Sequence, residues 1–217
     1  MKFKIGSVVV IGAAIAFLAG CASNSSFRNA RPVGKGNADA FIGVSHITVF
    51  DEDFEIPGIF FEVGASAGIT DAFDAIVKYT FPSTGSIEGK LTLVGARNDR
   101  GFFMAPGFRG GYTSFPTFNS GDDNDEESND RVELAVPLYL TFSPVPKISF
   151  TVAPAYAGRF FTKGKGYSNL VGGNVNIKLG DRFGVVLEGS YFRNLRWDFD
   201  EVQGGIAFMF AIADLLF

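Results

Sequence analysis

Ten ionisable residues recur at alternate positions of otherwise apolar or small-residue stretches. The acids are Glu62, Asp74, Glu88, Glu133 and Glu188; the bases are Lys78, Lys90, Arg109, Arg159 and Lys178. Five against five is the balance a narrow interior demands, because an unpaired buried charge is strongly penalised. These positions predict a charge network rather than a reaction centre. Other chemistry is sparse. With one His and one Cys, the chain lacks the residues for a Cys-based zinc site or a His-rich centre. Ser45 and His46 suggest a hydrolase pair, but adjacent residues of a strand point to opposite faces and cannot form a dyad with each other. A packed or lumen histidine is the simpler role. The run Gly121–Asp130 carries six acids and no base. It offers hard oxygen ligands without the EF-hand spacing, so a solvated, self-repelling loop is the expectation. Divalent bridging to surface lipid is the alternative. A second acidic group, Asp51, Glu52, Asp53 and Glu55, faces a small basic one, Lys163 and Lys165. Arg193, Asn194, Arg196 and Trp197 form a cluster suited to lipid phosphates or to a plain interfacial anchor. No phosphate-binding loop, dinucleotide fingerprint or zinc motif is present, and no cofactor or metal is expected.

The elements that must position these residues are strands. From Ala40 onward, period-two alternation recurs and no sustained helical period does. Val132, Leu134, Val136, Leu138, Leu140 and Phe142 alternate with Glu133, Ala135, Pro137, Tyr139 and Thr141. Phe73, Ala75, Val77, Tyr79 and Phe81 alternate with Asp74, Ile76, Lys78 and Thr80. Similar runs predict ten strands near 40–50, 59–67, 74–81, 87–96, 101–112, 131–142, 148–161, 169–179, 183–192 and 203–217. Most approach the ~9–11 residues that a tilted strand needs to cross a bilayer. Soluble strands average ~5–6. Connections alternate between short ones, such as Ser143–Lys147 and Gly180–Arg182, and longer ones, such as Asp51–Gly58 and Phe115–Asp130. Alternation alone leaves the lipid side open. Small residues beside the charges (Ala135, Ala153, Ala155, Ala157, Ser66, Ser149, Thr151, Gly107, Gly111) put the charged face inside. Phe61, Phe73, Phe81, Phe102, Phe142, Phe150, Phe160 and Phe183, with Tyr79, Tyr112, Tyr156 and Tyr191, are then expected outside.

Composition agrees. Charged residues make up 19% and Phe occurs 25 times in 217 residues, which excludes disorder and departs from an ordinary cytosolic domain. A net charge of −4 argues against nucleic acid as a partner.

The N-terminus reads as an address. Lys2 and Lys4 precede an apolar stretch, Ile5–Leu18, too short for a confident transmembrane helix. It ends in Leu18, Ala19, Gly20 and Cys21, which resembles the lipobox of bacterial lipoproteins. That resemblance implies a signal peptide over 1–20 and a lipidated Cys21, where two acyl chains would give stable anchoring. The alternative is ordinary cleavage near Ala22. Losing Lys2 and Lys4 takes the net charge from −4 to −6. Residues 21–39 are small, polar and without period, and read as a flexible tether.

As a pattern, residues 40–217 resemble Gram-negative outer-membrane β-barrels. Short turns alternate with long loops, and the chain ends in Phe217, similar to the C-terminal signal of that class. The phase of the last strand is ambiguous. Leu215, Ala213, Ala211 and Met209 share the phase of Phe217, while Ile206, Phe208, Phe210 and Ile212 form a more apolar opposite set. The resemblance implies an all-β, transmembrane, up-and-down antiparallel barrel of about ten strands, with eight or twelve as alternatives. It also implies an outer-membrane location and contact with outer-membrane lipid, lipopolysaccharide and the barrel assembly machinery. The expected role is structural or surface-interacting, with a narrow porin-like path for small solutes as its variant. Two alternatives remain: an outer-membrane lipid-modifying enzyme, and a soluble, lipid-anchored periplasmic barrel that binds a ligand. Oligomeric state is left open.

Overall fold

The computed structural model describes residues 25–50, 55–95, 100–114, 130–162, 166–181, 183–196 and 199–212. Cys21, residues 115–129, Lys163, Lys165, Trp197 and Phe217 lie outside the described residues, as do Asp51, Glu52 and Asp53.

Ten strands follow one another along the chain: β1 (Ala38–Phe50), β2 (Glu55–Gly68), β3 (Phe73–Phe81), β4 (Thr84–Leu91), β5 (Gly101–Thr113), β6 (Arg131–Val145), β7 (Ile148–Phe161), β8 (Tyr167–Gly180), β9 (Phe183–Asn194) and β10 (Asp200–Ile212). Each pairs antiparallel with its neighbours in sequence, and β1 closes on β10 to complete the ring. At the closure Ala38 lies opposite Ile212 and Ser45 opposite Gly205. Closure leaves no unpaired strand edge, the condition for a sheet in lipid. The connections from β2 to β3, β6 to β7 and β8 to β9 share one end, here called the turn end.

The strands match the expected set in number and order and mostly run longer. β2 begins at Glu55, and β10 reaches up to Asp200. β4 stops sooner than expected, at Leu91. Thr92 still bonds the Ala72 carbonyl, but Leu93 and Val94 turn to Met104, which takes the chain out of the β3 ladder.

β6 shows why the wall has two chemistries. Arg131, Glu133, Ala135, Pro137, Tyr139 and Thr141 are buried, while Val132, Leu134, Val136 and Phe142 are exposed. Period two allows no other arrangement once one face is chosen. The twelve aromatic residues expected outside are all exposed, from 37% at Phe73 to 77% at Phe183. In β10 the more apolar set turns outward, with Ile206 and Phe208 exposed, while Ala207 and Met209 are buried. The phase shared with Phe217 therefore faces the lumen at 207 and 209.

The expected tether is different in the structure. Residues 25–33 run through the barrel interior as an irregular segment, left-handed at Phe27 (φ 43°) and bent at Ala30 and Arg31, and Ser25, Ser26, Phe27, Arg28 and Ala30 are buried. The physical reason is room. Eight strands enclose just enough space for side chains. Ten strands lined by Ala135, Ala153 and Ala157 leave space for one more segment of chain. The segment enters at the turn end, where Gly36 N–H donates to the Gly68 carbonyl and Gly68 N–H to that of Asn37, both at 3.0 Å. Its direction of travel from Val33 back to Ser25 is toward the middle of the barrel.

Candidate functional site

The lumen is the place where the polar chemistry converges. Away from the turn end, Glu133 of β6 sits between two guanidinium groups. Arg159 Nε donates to it at 2.8 Å and Arg109 Nη2 at 3.3 Å. Arg159 also reaches across to Glu201 of β10, donating through Nη1 at 2.5 Å and Nη2 at 3.1 Å. This two-pronged geometry is the strong form of an arginine–carboxylate contact. Nearby, the Tyr139 hydroxyl donates to Glu88 at 2.7 Å. At mid-height, Lys78 pairs with Glu62 at 3.3 Å, and Glu62 also accepts from Ser45 and Ser25. Toward the turn end, Lys90 pairs with Asp74 at 3.0 Å.

The structure thus brings eight of the expected charges (Glu62, Asp74, Lys78, Lys90, Glu88, Arg109, Glu133 and Arg159) into bonded groups inside the ring. Glu188 is also buried, but its partners are Asn174, the Ser26 hydroxyl and the main chain of the inner segment. Lys178 stands apart at the turn-end mouth, half-buried. It lines a cavity of about 240 Å³ with Arg31, Asp39 and Asp181. Arg28, Arg131 and Glu201 are buried charges that the alternation pattern had not collected. For Glu201 the signal was present, since Glu201 and Gln203 continue the phase of Ala207 against Val202 and Ile206. The loop composition around Trp197 concealed it.

The inner segment is held chiefly through its main chain. The Glu188 carboxylate accepts the Ser26 N–H at 2.8 Å and the Phe27 N–H at 2.7 Å. Lys78 donates to the Ser25 carbonyl at 2.7 Å, Asn176 to that of Arg28 at 2.7 Å, and Lys90 to those of Asn29 and Arg31 at 2.8 Å. Ala30 gives its N–H to Thr141 at 2.8 Å and takes a bond from Thr92 at 2.9 Å. Val33 N–H reaches Asp74. A buried segment with no neighbouring strand must have these groups satisfied in some other way, and the wall side chains do so.

One side chain of the segment has a fitted seat. The Phe27 ring lies 5.8 Å from that of Phe41, against Gly43 and Gly205. A Cβ at Gly205 would come within 2.8 Å of the Phe27 ring, and one at Gly43 within 3.2 Å. Phe27, Phe41, Val186, Ala207 and Met209 form a buried apolar cluster inside a polar lumen. Arg28 stacks over Phe41 at 4.8 Å and donates to Ser66 at 2.8 Å. The gap left between segment and wall, lined by Ser25, Ser26, Arg28, Lys78, Glu88 and Arg109, holds about 10 Å³, room for about one water.

The remaining sequence candidates fall elsewhere. His46 projects outward, with Ile59 and Gly204 as its cross-strand neighbours, while Ser45 turns inward to Glu62. Asp130 accepts from the Tyr112 hydroxyl at 2.8 Å. Arg196 stacks on Tyr167 at 4.7 Å and donates to its carbonyl at 2.7 Å. Among the described residues no cluster of His, Cys, Asp and Glu could hold a metal ion.

A closed antiparallel ring with an apolar exterior and paired charges inside inverts the plan of a soluble barrel. It defines a transmembrane β-barrel. Solved structures similar to this chain include the translocator domain of autotransporter NalP from Neisseria meningitidis (10% identity, 94% of this chain and 95% of that one, TM-score 0.46). The N-terminal β-barrel domain of Pseudomonas aeruginosa OprF is similar too (9% identity, 78% and 97%, TM-score 0.37). So is Ail, the attachment invasion locus protein of Yersinia pestis, solved with the heparin analogue sucrose octasulfate (8% identity, 81% and 99%, TM-score 0.36). No protein-family model matches the chain, and no curated protein matches it in sequence.

Proposed function

We propose that the chain is an outer-membrane barrel with a structural or surface-interaction role, closed to solutes by its own residues 25–33. One observation carries this reading: among the described residues, ion pairs and a bonded segment cross the interior, and the gap beside Lys78, Glu88 and Arg109 is about 10 Å³, while the wider cavity of about 240 Å³ lies at the turn-end mouth. The barrel wall contacts outer-membrane lipid, and its longer loops meet lipopolysaccharide. Residues 1–20 act as a lipoprotein signal, Cys21 carries the lipid, and the last strand with Phe217 is read by the barrel assembly machinery. The sequence patterns described above support these assignments.

The test is purification of the full chain in detergent, followed by heat-modifiable gel mobility and planar-bilayer recording. The expected result is detergent dependence, a mobility shift on boiling and no steady conductance. A steady open-channel conductance overturns the closed role in favour of a pore. A protein that stays soluble without detergent overturns the membrane reading.

A further inference from the structure

Every residue from Ser25 to Arg31, and Val33 as well, presents a main-chain group to a side chain of the wall or its rim. The donors and acceptors come from around the ring: Asp74 and Lys78 of β3, Lys90 of β4, Thr92 after it, Thr141 of β6, Asn176 of β8 and Glu188 of β9. Main-chain groups are common to all peptides, so contacts of this kind read the path of the backbone rather than a sequence. Side chains add selectivity: the Ser25 and Ser26 hydroxyls donate to Glu62 and Glu188, Arg28 donates to Ser66 and stacks over Phe41, and Phe27 fills the seat left by Gly43 and Gly205.

We propose that the lumen is a binding site for a polypeptide segment, recognised through its main chain and through an aromatic anchor followed by an arginine. Residues 25–33 are its resident occupant. The ligand class is a peptide of about nine residues, small and hydroxylated at its first two positions, aromatic at the third and basic at the fourth. Among the described residues Val33 lies at the turn-end mouth and Ser25 farthest from it, which sets the direction in which the peptide lies. This goes beyond a closed scaffold, since a site that holds its own segment by generic contacts accepts another when that segment is displaced. The inference rests on the proposed filling of the barrel by residues 25–33.

The test starts from the full chain with a protease site inserted between Lys35 and Gly36. After cleavage in detergent, the barrel is unfolded in urea and refolded with excess labelled peptide of residues 25–33. Folded barrel should retain the label through size exclusion. Asn29→Ala and Val33→Ala peptides should bind within about threefold of the parent. N-methylation of Ser26 and Phe27, which removes the two main-chain bonds to Glu188 and leaves that of the Ser26 hydroxyl, should weaken binding by about a hundredfold, given that bonds to charged groups are the strong ones. A refolded, heat-modifiable barrel that retains no peptide overturns the proposal, and so does an N-methylated peptide that binds as well as the parent. A second measurement needs no cut. In the intact chain the amides of Ser26, Phe27, Ala30 and Val33 should exchange at least about a hundredfold more slowly than in the free peptide. Glu188→Ala should release the first two while strand amides stay protected. Rapid exchange at these amides in the intact chain overturns the proposal whatever the cut protein does.

Discussion

Arg159 on β7 and Glu201 on β10 meet across the lumen through two hydrogen bonds, although β8 and β9 separate their strands in the wall. The pair is a cross-brace. Its arginine also holds Glu133 on the adjacent β6, so one guanidinium ties two carboxylates from different sides of the ring. Arg159→Met leaves both carboxylates buried and should destabilise the barrel by about 3–5 kcal/mol. Pairing it with Glu201→Gln should recover part of that loss. The urea midpoint of the boiling-dependent gel shift reads both variants, and an Arg159→Met midpoint equal to that of the parent would remove the brace from the account.

The Phe27 seat predicts a separation of plug from wall. Gly205→Leu puts a side chain where the Phe27 ring lies and should expel the inner segment while the strands still pair. Limited trypsin digestion checks it. Arg28 is 5% exposed in the parent and should resist cleavage, then become cut in Gly205→Leu. Continued protection at Arg28 in a folded variant would show that the ring has a second place to go.

Depth sets the cost of a charge on the outer wall. Val175, near the middle of β8, is exposed to the belt. Val175→Arg should cost about 2–4 kcal/mol of folding stability in lipid vesicles, whereas Phe183→Arg at the start of β9 should cost about 0–1. Folding titrations of both variants in vesicles give the ratio. Equal costs would place the belt elsewhere on the wall.

The lipid assignment is separable from the fold. Cys21→Ser should abolish incorporation of labelled palmitate while the barrel keeps its heat-modifiable mobility. Label retained on the Ser variant would rule out Cys21 as the acceptor, since it is the single Cys of the chain.

Much of the barrel is legible in the sequence because period two is a local property. The alternation through Val132–Phe142 states which side chains share a face before any partner strand is known. Adding the charges and small residues on one set decides which face is inside. The charge balance was legible in kind but its membership was not. The interior gathers Arg28, Arg131 and Glu201 and leaves Lys178 at the mouth. Arg28 escaped because it sits in a segment with no period at all.

That segment marks the boundary of what the sequence by itself determines. Alternation, strand length and the placement of aromatic residues determine an antiparallel barrel with an apolar exterior. The role of residues 25–33 is decided only in the tertiary structure. A small, polar, aperiodic stretch looks the same whether water or a protein wall bonds its main chain. Only ring closure brings Glu188, Lys78, Lys90, Asn176 and Thr141 around one inner segment. Only the close approach of Gly43 and Gly205, paired strands apart in sequence by more than a hundred residues, makes the seat that Phe27 fills.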